Sequence, residues 1–463
     1  MNHCFAVATA PFPPRHRVPV AILVSLVAIA ATVTPSDGAE AEAEAIRETF
    51  SVEYTVEVRA SDPTIARVRW DLAGIDEIRR IQLTTDAGRF SAFQASGRLE
   101  EHDGRVIWWP SAPYGHLSYT TPLRHRRGPE EGFDSWADTD WVLTRARHLF
   151  PHSRVLFATG VEPQAEARAR LIVRVPDGWD VASPLPPDGL HRFIVESPRA
   201  RFDHPRGWLM LGRFARTDLA ISDTMVSVAT AGEVTTPARE IFALLRDGLP
   251  KLEELLARRP TRLLIALAPD PMWRGGLSGS NSFYMHGDRP IRTPDRTSPY
   301  LHELFHVINP TRPGPDAAWV TEGLAEFYSV EIQRRIGTLD PEGYRRALRS
   351  FARHGLWRRD FTRTTDFALR NNSAPLVMWA LDHEIRQATD QAHTLDDVVT
   401  ELAQQGGTVT TARFLGTVRR IADTSFNAFF RRHVYRGEQP SLASLKAPPS
   451  PASPDSAPAT PPR

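Results

Sequence analysis

From residue 48 to about 228, apolar and polar positions alternate in short runs. In 50–58, Phe50, Val52, Tyr54, Val56 and Val58 take every second place, the period of a strand with one buried face. Similar runs at 65–72, 106–109, 168–175 and 191–195 are separated by segments rich in Pro, Gly and Asp, which predicts an antiparallel β-sandwich over 39–234. From about 235 the period becomes helical: Ile241, Leu244, Leu245, Leu249, Leu252 and Leu255 form one stripe of a helix over 237–258. A strand at 262–268 and a Gly-rich loop at 275–280 precede helices that continue to about 435. The pattern is therefore multidomain α+β, with a mainly helical second domain over 235–440 and no internal repeat.

The ends read differently. Arg15-His16-Arg17, an apolar stretch over 18–33 and then small and polar residues to Ala39 follow the order of a secretory signal, assigned here to 1–38. The stretch falls short of the ~18–20 residues that span a bilayer and carries Pro19, so an uncleaved anchor is the secondary reading and no span is expected in the mature chain. The expected location is periplasmic or secreted. Residues 441–463, mostly Pro, Ser and Ala, read as a disordered tail.

Composition narrows the chemistry. The chain has 463 residues, 41% hydrophobic and 24% charged, enough for domains with cores of their own. Lys+Arg 56 against Asp+Glu 55 leaves a net charge of +1, which provides no field to hold nucleic acid. The single cysteine, Cys4, leaves with the signal, so neither a disulfide nor a thiolate nucleophile is expected afterwards.

The informative segment runs from Ser298 to Pro310. Ser298 suits an N-cap, Pro299 the first helical position and Asn309-Pro310 a stop. Leu301, Leu304, Phe305 and Ile308 make the buried stripe, and His302, His306 and Asn309 make a second one beside it. Two imidazoles one turn apart can bind a single Zn²⁺, and Glu303 between them can act as general base. Sixteen residues on, Glu322 lies in a second helical segment where Asp316 can cap, Val320, Leu324 and Phe327 form the stripe, and Gly323 permits close packing on the first helix. Glu322 would complete a set of two His and one carboxylate with one position open, the pattern of a catalytic zinc site holding one ion per chain. Glu326, one turn beyond, can orient a ligand from behind; a solvated helix glutamate is the competing account.

On these residues the stretch from about 48 to 440 resembles the glycyl aminopeptidase family of zinc peptidases, grouped with aminopeptidase N-like enzymes. The resemblance rests on Gly275-Gly276-Leu277, His302 to Asn309, Trp319 to Gly323, Leu381-Asp382 with Ile385-Arg386, Thr394 to Asp397, and Phe429-Phe430 before Val434-Tyr435. It implies an N-terminal β domain, a thermolysin-like catalytic domain, and alignment of a peptide or protein substrate along the Gly276-Leu277 edge. Two departures stand out. Where the family has Tyr-x-Lys-Gly with an oxyanion-stabilising Tyr, Asn371-Asn372-Ser373-Ala374 stand here, which makes Asn371 the catalytic donor at that place. Where many members carry Glu-His after Gly-Gly-Leu, this chain has Ser278-Gly279 and so lacks an acidic anchor for a substrate amine. The expectation is an exported zinc metallopeptidase. Its alternatives are a catalytically impaired, zinc-containing peptide-binding protein, or a zinc hydrolase of a non-peptide amide or ester.

Overall fold

The alternating run at 50–58 forms the strand Thr49–Arg59, and its apolar side chains, Tyr54 and Val56 among them, are buried. It is a central strand of a six-stranded sheet in the computed structural model, which describes residues 49–85, 88–128, 132–158, 166–195, 204–364 and 366–443. The predicted signal over 1–38 and all but three residues of the predicted tail lie outside the described residues. No described helix is long and apolar enough to cross a membrane.

The expected antiparallel pairing holds on one side of this strand only. It pairs antiparallel with Asp62–Ala73, but parallel with Glu166–Arg174 on its other side. More than one hundred residues separate the two parallel partners in the sequence, so the chain has room to return in the same direction, which a tight hairpin does not allow. A four-stranded sheet, a five-stranded sheet and this one share a core that includes Trp70, Trp108, Leu117, Leu171 and Leu211.

The change of period near 235 is not a break in the sheet structure. Strands Ala215–Ile221 and Thr224–Thr230 precede it, yet Thr224–Thr230 pairs in parallel with Arg262–Ala268. The mixed sheet continues through Ser282–His286 to an edge strand, Gly276–Gly279. The Gly-rich 275–280 segment, expected as a loop, thus supplies that edge. Alternation identifies a strand but not its sheet; here the almost fully buried run Leu263–Ala268 needs partners on both sides.

A small apolar cluster spans the two parts. Trp141, Leu143, Trp208 and Met210 from the first part pack with Ala229, Leu264, Ala266 and Tyr284 of the mixed sheet. The helices Ala238–Leu256, Pro299–Ile308, Ala318–Arg335 and Ala374–Ala388 bury their stripes in the largest core, together with the other face of that sheet. Two local expectations change. Gly323 packs against the helix Ala374–Ala388, where a Cβ at 323 would meet that of Ala374 at 2.8 Å, and not against the first histidine helix. Asp316 does not cap the helix Ala318–Arg335; its carboxylate faces the backbone N–H of Thr411.

Candidate metal centre

The helix Pro299–Ile308 has the predicted ends: Ser298 Oγ accepts from the Leu301 N–H, Pro299 opens the first turn and Asn309 closes the last. Burial of Leu301, Leu304, Phe305 and Ile308 turns the histidine stripe toward the neighbouring helix. Asn309 leaves that stripe functionally, because its Oδ1 accepts from Thr311 N and Oγ1.

The helix Ala318–Arg335 is held against it by stacking of Phe305 on Tyr328, with ring centroids 5.5 Å apart. At its start Trp319 is buried among Phe361, Phe414 and Phe430, and its Nε1 donates to Thr411 Oγ1. This packing brings Glu322 to the histidines. His302 Nε2 and His306 Nε2 are 3.2 Å apart, and Glu322 Oε2 lies 3.4 Å from the first and 3.5 Å from the second. Donors at about 2.0–2.2 Å from one tetrahedral ion are themselves separated by roughly 3.3–3.5 Å, so the three atoms fit zinc.

Glu326 is not a solvated helix glutamate. Its Oε2 accepts from His302 Nδ1 at 2.7 Å, which fixes the tautomer that turns the lone pair of Nε2 toward Glu322 and His306. The electrostatics agree with a cation site. Burial alone would lower the His302 pKa, but its hydrogen bonds to Glu322 and Glu326 hold it well above the ordinary histidine value. Burial would raise Glu322, and His306 and His302 keep it well below the usual carboxylate range.

Glu303 occupies the neighbouring place. It is 9% exposed, and burial raises its pKa while His302 and His306 partly offset the rise. Its carboxylate rests on the edge strand: a Cβ at Gly276 would fall 2.7 Å from Glu303 Cγ and Oε1, so only glycine permits this approach.

By sequence, no protein-family profile and no curated protein matches the chain. By structure, it is similar to an aminopeptidase N family protein from Idiomarina loihiensis, with a TM-score of 0.66 at 15% identity over 85% of this chain and 77% of that one. It is also similar to an M1 zinc metallopeptidase from Deinococcus radiodurans, with a TM-score of 0.58 at 18% identity over 87% of this chain and 96% of the other. A mutant of the Deinococcus enzyme, solved with a Tyr-Ser-Ala substrate, superposes equally well, at 17% identity and a TM-score of 0.58 over 86% and 96% of the two chains. The fold is that of the M1 zinc metallopeptidases.

Within this M1 fold several expected residues have other engagements. Asn371 lies in the π-helical turn Leu369–Ser373, and its Nδ2 donates to the carbonyl of Phe367, four residues before it. Two tyrosines that precede His302 in the sequence, Tyr284 and Tyr300, are buried and donate to the carbonyls of Trp273 and Arg289. The Leu277 carbonyl accepts from Trp208 Nε1 at 2.9 Å. Trp208 and, above it, Arg145 are the residues at this centre that sequence reasoning missed. Both come from strands of the first part, and a single Arg at a strand end carries no local signal in an arginine-rich chain.

Proposed function

We propose that the chain is an exported zinc metallopeptidase of aminopeptidase type, in which a β domain precedes a thermolysin-like catalytic domain. The observation that carries this reading is the triangle of His302, His306 and Glu322 donors, 3.2–3.5 Å on a side, beside a buried carboxylate. Zinc held by these three residues would activate a water and polarise the scissile carbonyl.

Glu303 takes the proton from the attacking water and returns it to the leaving amine. Burial raises its pKa, which makes it a stronger base for the first transfer, and the leaving amine, more basic still, takes the proton in the second. Glu326 keeps the His302 ring in register. The strand Gly276–Gly279 is the edge of its sheet, so an extended peptide can add alongside it and present its backbone to Glu303. The tripeptide bound to the Deinococcus enzyme supports a peptide as substrate. The apolar stretch after Arg15-His16-Arg17 supports export.

The test is metal content and hydrolysis measured together. Purified protein should carry one zinc per chain and cleave members of a mixed peptide library in a chelator-sensitive way. Glu303→Gln should keep the zinc and lose about 10²–10⁴ in rate. Undiminished cleavage by that variant would refute the assigned base.

A further inference from the structure

The strand Trp141–Arg145 ends in a cation whose charge reaches Glu303. Arg145 pairs in register with Trp208, and its guanidinium Cζ lies 4.8 Å from the centroid of the Trp208 ring. Trp208 Nε1 donates to the carbonyl of Leu277, the residue after the glycine on which the Glu303 carboxylate rests. The charges of Arg145 and Glu303 interact across this short chain of contacts. Arg145 Nε is buried without a hydrogen-bond partner, and among the described residues no carboxylate forms an ion pair with the side chain. Asp134, whose charge reaches Arg145, is engaged by His125 Nδ1 and by Arg147 Nη2. Burial, with Arg147 close by, lowers the Arg145 pKa to about 10, so the group stays charged at neutral pH.

A half-buried guanidinium with unused donors, stacked on an indole, is a receptor for a planar anion. A substrate ammonium at the same place would be repelled, and the Gly275–Ser280 segment offers no acid to hold one. We propose that Arg145 anchors a substrate carboxylate next to the scissile bond, so that the protein acts on peptides bearing an acidic group there. This inference rests on the zinc peptidase reading above. The carboxylate has two sources, the side chain of an Asp or Glu or the free C-terminus of a short peptide, and both offer the same fork to the guanidinium.

The experiment uses the zinc-loaded full chain and paired peptides: Glu against Gln at the position flanking the cleaved bond, and free against amidated C-termini. The protein should favour the carboxylate member of one pair by roughly 10- to 100-fold in kcat/KM, carried mainly by KM, and the pair that shows the preference identifies the source. Arg145→Met should bring the carboxylate peptide down to its neutral partner, and Arg145→Glu should turn the preference toward Lys. Melting curves confirm that each variant is folded, with Arg145→Gln as the substitute where one is not. The same peptides are titrated by calorimetry into zinc-loaded Glu303→Gln protein, with and without the Arg145 change. If nothing is cleaved, the peptidase reading fails on its own, and a carboxylate preference in this binding arm still supports the anchor. Equal cleavage and equal affinity within both pairs would overturn it. So would a fall in kcat of the same size on every peptide in Arg145→Met, which marks a role in the transition state.

Discussion

Two groups of side chains in this protein offer the same donors, two imidazoles and one carboxylate, in surroundings of opposite charge. His302, His306 and Glu322 lie on two packed helices, and His125 and Asp134 lie on strands of the first part with His148 on its short helix Ala146–Leu149; in both groups the donor atoms fall within 4.8 Å of one another. Around the first stand further carboxylates, Glu303 and Glu326. Arginines surround the second: Arg147 Nη2 lies 3.5 Å from Asp134, Arg89 donates to the His148 carbonyl, and the charge of Arg145 reaches the His148 ring. Asp134 is already the partner of His125 Nδ1. Burial, with the Arg89 charge next in weight, presses the His148 pKa down to about 2, so that ring stays neutral. Donor type therefore does not define a metal centre. What separates the two groups is the sign of the surrounding charge.

The contrast is broken most directly by removing one histidine from each group. His306→Ala should reduce zinc, measured by elemental analysis of dialysed protein, from one per chain to near none, whereas His125→Ala should leave it at one; the reverse outcome would exchange the assignments. A smaller effect is expected from Glu326→Gln, which keeps the shape but removes the charge behind His302. Zinc affinity in a chelator competition should fall about 10- to 100-fold while stoichiometry at saturation is unchanged.

The third effect is confined to the neutral group. A buried His148 with a folded pKa near 2, against 6.5 unfolded, means that the unfolded chain binds the extra proton between those limits. Its contribution is fully present above about pH 6.5 and is lost progressively as the pH falls through that window, with a slope of at most about 1.4 kcal/mol per pH unit. Denaturant melts of His148→Phe between pH 7.5 and 4.5 should show a shallower acid dependence than the parent. An identical slope would mean that His148 takes up its proton in the folded state.

Much of the centre was readable because its decisive features are local. The caps Ser298 and Asn309, the buried stripe of Leu301, Leu304, Phe305 and Ile308, and the i, i+4 histidines follow from helix geometry alone, which repeats every 3.6 residues regardless of context. The Trp319 to Gly323 segment was likewise placed on a helix with its stripe correctly turned inward. The bond from Glu326 to His302 had a local signal, a carboxylate one turn beyond a ligand, but its strength depends on how two helices cross. The strand at 50–58 was legible from its alternation, while its parallel partner more than one hundred residues away was not.

By itself, then, the sequence determined the main helices and the alternating strands, which face of each is apolar, and that two histidines share a turn with a glutamate between them. Tertiary structure alone decided that Glu322 closes the triangle, that Gly276 seats the Glu303 carboxylate, and that Arg145 arrives from a strand of another sheet. The physical reason is range. Backbone periodicity and capping act over a few residues, whereas the meeting of charges from distant segments is set by which apolar surfaces pack together, and many partners satisfy the same alternation.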